Sequence, residues 1–173
     1  MIKNFLKEHP IHKRLAPRFD ILFLMRPTLF LSVWVMVVIG MSAAQMHYND
    51  SPLWISGFSL QTLIIFIGLT FVCSSAFILN QITDQESDRV NNKLFLVGKY
   101  ISEEKSQNIA KYLLIAGLIA LLIFNWFSAM IASLIYLIWG ILYSSAPFNW
   151  KSRPLLGWLA NSIVGILLFV LGW

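Results

Sequence analysis

Residues 80–88 read NQITDQESD, from Asn80 to Asp88, and follow directly on the apolar run LIIFIGLTFVCSSAFIL at 63–79. Asp84, Glu86 and Asp88 place three carboxylates within five residues at the end of a segment apolar enough to lie in lipid. Charges at membrane depth are costly, and where they occur they are paired or functional. The spacing of Asn80, Asp84 and Asp88 is i, i+4, i+8. On an α-helix each step of four turns the side chain by only ~40°, so the three are predicted to line one face while Glu86 points elsewhere. An amide oxygen and two carboxylates in a row are hard ligands. They suit Mg²⁺, which takes one or two carboxylates and completes its shell with water and substrate phosphates. The plainer alternative is a solvated helix end carrying ordinary charges.

The rest of the chain sets this stretch in a membrane. Of 173 residues, 58% are hydrophobic and 12% charged, with a mean hydropathy of +0.71. A soluble domain carries about 25% charged residues. Five apolar stretches, at about 28–46, 60–82, 112–127, 128–144 and 155–173, read as spans. The third and fourth nearly fuse around Asn125, which predicts a tight helical hairpin. The fold class is therefore all-α, a polytopic transmembrane helical bundle.

All 13 basic residues fall into three segments. Lys3, Lys7, Lys13, Arg14, Arg18 and Arg26 precede the first span. Arg89, Lys93, Lys99, Lys105 and Lys111 lie between the second and third, and Lys151 and Arg153 between the fourth and fifth. Basic loops stay inside, so five spans with a cytoplasmic N-terminus put every cation, and the acidic stretch, on the cytoplasmic face. Asp50 and Asn125 are then expected on the far side. The net charge of +5 reads as topology and not as nucleic-acid binding.

Residues 1–25 are basic and partly amphipathic, with no small-residue cleavage site after a short apolar core. They read as an interfacial segment rather than a signal peptide, leaving 26–173 as the membrane domain. The single Cys73 lies mid-span and makes no intrachain disulfide. Asn161, polar within the fifth span, reads as an interhelical hydrogen-bonding residue.

NQITDQESDRVN resembles the first aspartate-rich motif of the UbiA-type intramembrane prenyltransferases, Asn-Asp-x-x-Asp-x-x-x-Asp. Asn80, Asp84 and Asp88 match, and Gln81 stands where the family commonly has Asp. Three further pieces follow in order. Arg26-Pro27 enters the first span as the family's Arg-Pro does. GKYIS, Gly98 to Ser102, is similar to the Gly-x-Ile-Ser that opens the next helix. YSSAPFNWKSRP is similar to Tyr-Ser-x-Pro-Pro-x-Arg-x-Lys-x-x-Pro at Tyr143, Ser144, Pro147, Lys151 and Pro154. Departures are NNKLFLV at 91–97, where the family has Lys-Pro-x-Arg-Pro, Ala146 at the first Pro, and Asn149 at the Arg.

The resemblance covers the N-terminal part of a nine-helix fold, whose later half carries a second Asp-rich motif. It implies Mg²⁺-dependent transfer of an isoprenoid from a prenyl diphosphate to an aromatic or lipid acceptor inside the bilayer of a bacterial or archaeal plasma membrane. It makes Asn80, Asp84 and Asp88 metal ligands, and Lys93, Tyr143, Lys151 and Arg153 diphosphate-binding residues. Each of the last four also has a plainer role, the basic residues as topology markers and Tyr143 as part of an aromatic belt. Residues 1–173 alone are expected to be inactive, the site being completed by a C-terminal half of the same chain or by a second polypeptide. Two rivals remain. A CDP-alcohol phosphotransferase would need an Asp-Gly pair and a second nearby Asp cluster, and neither is found here. The other is a non-catalytic relative with a structural or partner-binding role.

Overall fold

The computed structural model describes residues 10–49, 59–91 and 96–173. Lys93 and Asp50, and the expectations attached to them, lie outside the described residues. Seven α-helices account for most of the rest, and among the described residues there is no strand, only an isolated bridge between Val97 and Ile101.

Helix α1 (Pro10–Leu24) leaves Leu15, Phe19, Leu22 and Phe23 exposed. It ends in a sharp turn at Arg26, a non-glycine residue in the left-handed region (φ 56°, ψ 61°). Pro27 disfavours the right-handed helical conformation for the residue before it, so the chain breaks here and restarts through a short 3₁₀ turn, Pro27–Leu29. The first apolar stretch is thus longer than the sequence suggests. Residues 17–48 form one candidate span, interrupted at Arg26.

Helix α2 (Phe30–Asn49) packs on the last helix, α7 (Pro154–Gly172). Their backbones nearly touch. A Cβ on Gly40 would lie 2.1 Å from the Phe169 carbonyl oxygen, and one on Gly172 would lie 2.1 Å from that of Val37. Helix α3 (Leu60–Thr83) is capped by Ser59, which accepts from Thr62 N at 3.1 Å. It crosses α5 (Glu103–Phe124) in the same close fashion, a Cβ on Gly117 lying 2.6 Å from Gly68 O. Small residues let membrane helices approach like this when no hydrophobic force drives them together. Ser75 Oγ donates across the crossing to Ala110 O at 2.8 Å.

Helix α5 begins at residue 103, well before the apolar run at 112. Its first turns are polar outward, with Ser102 as N-cap and Glu103 and Glu104 in the first turn. Ser106 and Ala110 stay buried inward, so packing extends the helix. The expected break falls at Asn125, whose backbone is extended (φ −158°, ψ 115°) and whose Oδ1 caps Phe127 N at 2.9 Å. Helix α6 (Trp126–Tyr136) continues as a π-helical turn, Leu137–Leu142. Four segments are long and apolar enough to cross a bilayer, at 17–48, 60–83, 103–124 and 154–172, while Trp126–Leu142 is shorter. Length and composition make this an integral membrane helical bundle.

The bundle axis is filled by Val33, Val37, Leu69, Cys73, Ile131, Ile135, Val164 and Leu168. At one end, after the short helix α4 (Gln85–Val90), Leu96, Val97 and Ile101 pack with Leu24, Ile78 and Ala110. That end carries the acidic stretch.

Candidate active site

Asn80 lies in the last turn of α3, and Asp84 is the residue at which that helix stops (φ −94°, ψ 0°) before α4 begins. The hydrogen bonds from Asp84 N to Asn80 O (3.0 Å) and from Asp88 N to Asp84 O (2.8 Å) persist through the joint. The side chains nevertheless part company. Asn80 and Asp84 reach cavities at the bundle end, whereas Asp88 is buried, 9% exposed, and lines neither cavity. The helix assignment is interrupted at Asp84, and only Asn80 and Asp84 of the three line these cavities.

The opposing wall comes from the π-helical turn. Its wider winding pairs Tyr143 N with Ile138 O (2.8 Å), five residues back. Ser144 Oγ lies 2.9 Å from Trp139 O, and Ser145 Oγ lies 3.2 Å from Gly140 O. The same winding brings Trp139, Tyr143 and Ser144 to one cavity, a common use of π-turns at functional sites. After a turn containing a cis Ala146–Pro147 bond and a left-handed Asn149 (φ 40°), the 3₁₀ segment Trp150–Ser152 presents Lys151.

Lys151 draws the two sides together. Its Nζ contacts Asp84 Oδ1 and lies 3.2 Å from Thr83 Oγ1 and 3.3 Å from Asn80 Oδ1. Asn80 Oδ1 also lies 3.1 Å from Ser144 Oγ. The side chains of Lys151 and Asp84 are 22% and 24% exposed, so this ion pair is shielded from solvent on most sides. Residues 80, 83, 84, 144 and 151 thus form one polar knot from three separate segments.

The knot separates two spaces. Inward lies a cavity of about 260 Å³, with Phe77, Trp139 and Tyr143 as aromatic walls, Asn80 and Ser144 at the polar side, and Arg26 and Asn161 at the rim. Trp139 Nε1 donates to Asn161 Oδ1 at 2.9 Å, so Asn161 makes the interhelical bond expected of it and also lines the cavity. Outward lies a hydroxyl-rich cleft of about 670 Å³, lined by Thr83, Asp84, Ser87, Ser144, Asn149, Lys151 and Ser152.

The site residues expected from sequence are distributed unevenly. Asn80, Asp84, Tyr143 and Lys151 come together. Arg153 caps α7 with its side chain exposed and lines neither space. Asn149, standing where the resemblance has Arg, offers the outward cleft an amide whose Oδ1 is buried and without a partner among the described residues.

Sequence reasoning missed Arg26, Thr83, Ser144 and Trp139 as site residues. In the sequence Arg26 stood out as a charge and as part of the family's Arg-Pro, with no site role attached to it. Among the described residues its guanidinium has no hydrogen-bond or ion-pair partner. Gln81, whose side chain replaces a family acid, is buried and donates from Nε2 to Leu24 O at 2.6 Å. It ties the last turn of α1, just before Arg26, to the helix that carries Asn80.

Among the described residues no three His, Cys, Asp or Glu side chains converge as a metal cluster. Asn80 Oδ1 and the Asp84 carboxylate are hard oxygen donors. They fit a Mg²⁺ that takes the rest of its shell from phosphate and water, not one caged by protein alone.

No curated protein and no solved structure matches the chain. The profile of the UbiA prenyltransferase family matches residues 32–173, which includes the acidic stretch, the π-helical turn and Lys151. With most of the sequence inside that match, the chain belongs to the UbiA prenyltransferase family.

Proposed function

We propose that the protein transfers an isoprenoid from a prenyl diphosphate to an aromatic or lipid acceptor within the membrane, with the diphosphate seated at Asn80, Asp84 and Lys151. The observation that carries this reading is the polar knot at the mouth of an aromatic-walled cavity. It sets an acid, an amide and a cation where a charged headgroup meets an apolar interior.

In the reaction the C1–O bond of the prenyl diphosphate breaks, pyrophosphate leaves with the electron pair, and an acceptor atom bonds to C1 and then loses its proton. Negative charge grows on the leaving oxygens, so fixed positive groups there lower the barrier. Lys151 supplies one such charge as an ammonium from the outward cleft, and Tyr143 lines the inward cavity. Arg26 is available to an anionic part of the donor or acceptor. A Mg²⁺ held by Asn80 and Asp84 would supply further charge neutralisation to the diphosphate. Phe77 and Trp139 line the cavity with π-systems suited to stabilising an allylic cation, and the apolar walls exclude the water that would quench it. The basic end of the bundle then faces the cytoplasm.

The test is prenyl transfer by membranes carrying the full-length protein, with Asp84→Asn against wild type. Removing the carboxylate should lower transfer by about 100-fold or more, with membrane insertion intact. Undiminished turnover would favour the rival reading, a non-catalytic relative in which Lys151 simply neutralises Asp84.

A further inference from the structure

The oxygens that fit a metal are already holding a cation. Lys151 Nζ contacts Asp84 Oδ1 and lies 3.2 Å from Thr83 Oγ1 and 3.3 Å from Asn80 Oδ1. An ammonium donates three hydrogen bonds and accepts none, so these three oxygens use all of its donors. Thr83 joins the set as an acceptor. Its hydroxyl donates to Asn80 O at 2.9 Å, which leaves its lone pairs for a cation. A carboxylate, an amide and a hydroxyl oxygen from residues 80–84 therefore form one cation pocket, filled by the chain's own ammonium.

Lys151 and a metal ion cannot share that pocket. Like charges a few ångströms apart repel, and the repulsion is weakly screened where side chains are shielded from water. Lys151 and Asp84 are only 22% and 24% exposed. Nor can Lys151 serve a phosphate from this seat, because it has no donor to spare. The oxygens are the fixed side of the pair. Gln81 Nε2 ties their helix end to Leu24 O at 2.6 Å, and Asp84 N bonds to Asn80 O at 3.0 Å. The ammonium is the movable side, on a flexible four-carbon stem carried by the short segment Trp150–Ser152. It stands at the wall of the outward cleft, where Ser87, Ser144 and Ser152 offer an anion hydroxyl donors and about 670 Å³ of room.

Resting on the prenyltransferase reading, we propose that Lys151 is the resting occupant of the Asn80–Thr83–Asp84 pocket. A diphosphate arriving in the cleft draws the ammonium out and thereby opens the pocket to the metal. Without an anion in the cleft, Lys151 has nothing better than Asp84 to pair with. Without a metal, Asp84 has no replacement for Lys151. Metal and diphosphate then depend on one another, and by linkage each strengthens the other by the same factor. Between turnovers Lys151 keeps the shielded carboxylate neutralised.

The experiment measures Mn²⁺ binding with no diphosphate present. It uses the full-length protein in phosphatidylcholine nanodiscs, and free Mn²⁺ is followed by electron paramagnetic resonance. Lys151→Met should bind Mn²⁺ more tightly than wild type by about tenfold or more. Lys151→Gln, which keeps the length and a polar end, should do the same even if the first variant folds poorly. Arg153→Ala removes a nearby charge that lines neither space, and should change Mn²⁺ affinity by no more than about twofold. Added to Lys151→Met, Asp84→Asn should abolish the gain and Thr83→Val should remove about threefold or more of it. Mn²⁺ binding no tighter in either Lys151 variant, or equally tightened by Arg153→Ala, would overturn the proposal. A gain untouched by Thr83→Val would overturn the three-oxygen pocket. Prenyl transfer by wild type and Asp84→Asn is read in parallel. Asp84-dependent transfer with no Mn²⁺ gain in the Lys151 variants overturns the exchange and leaves the prenyltransferase reading standing. Transfer indifferent to Asp84 overturns that reading and the exchange with it.

Discussion

Helix α3 meets its two neighbours in opposite ways. Against α5 it packs backbone to backbone, with Gly68 and Gly117 at the crossing and Ser75 bonded across it. Against α2 it meets a row of aromatic rings and leaves a groove. The first seam has no space and bears the fold, and the second keeps room beside the cavity. Protein interiors are close-packed, and only the α3–α5 seam reaches that density along its crossing.

Substitutions sharpen this contrast in descending order of effect. Gly40→Leu forces a side chain into the Phe169 carbonyl on the tight α2–α7 seam. It should cost about 3 kcal/mol, as overpacking does, read as a fall in the detergent unfolding midpoint. Lys151→Met, which removes the cation of the polar knot, should lower prenyl transfer by about 100-fold while the unfolding midpoint changes little. A large stability loss with normal turnover would make Lys151 a structural tie instead. Gln81→Leu removes the donor to Leu24 O and leaves that carbonyl unpaired, which should cost about 1–2 kcal/mol. On the loose seam, Ile67→Ala at a 43% exposed position should change stability by no more than about 0.5 kcal/mol. Arg153→Ala should have the smallest effect on transfer, within about twofold, because its side chain lines neither space.

Much of this was legible in the sequence. Apolar runs and the partition of basic residues mark the spans, because lipid demands helices whose backbone groups bond internally. The break at Asn125 and the pairing of Asn80 with Asp84 follow from residue type and helical spacing. The rest was hidden for identifiable reasons. Periodicity assumes an unbroken helix, whereas the helix assignment is interrupted at Asp84 and Asp88 lines neither cavity. The left-handed turn at Arg26 and the π-helical turn that delivers Trp139 and Ser144 are set by packing and local hydrogen bonding. Loop charges look alike in sequence. Only the fold separates Lys151, which reaches Asn80 and Asp84, from Arg153, which does not.

The central claim is that Asn80, Asp84 and Lys151 seat a metal-complexed diphosphate. Its most direct test is calorimetric titration of the protein in nanodiscs with geranylgeranyl diphosphate, with and without Mg²⁺, for wild type and Asp84→Asn. The account predicts Mg²⁺-dependent binding that weakens by about 100-fold, some 2.7 kcal/mol, in Asp84→Asn. Binding of equal strength in both proteins, or binding indifferent to Mg²⁺, would contradict it.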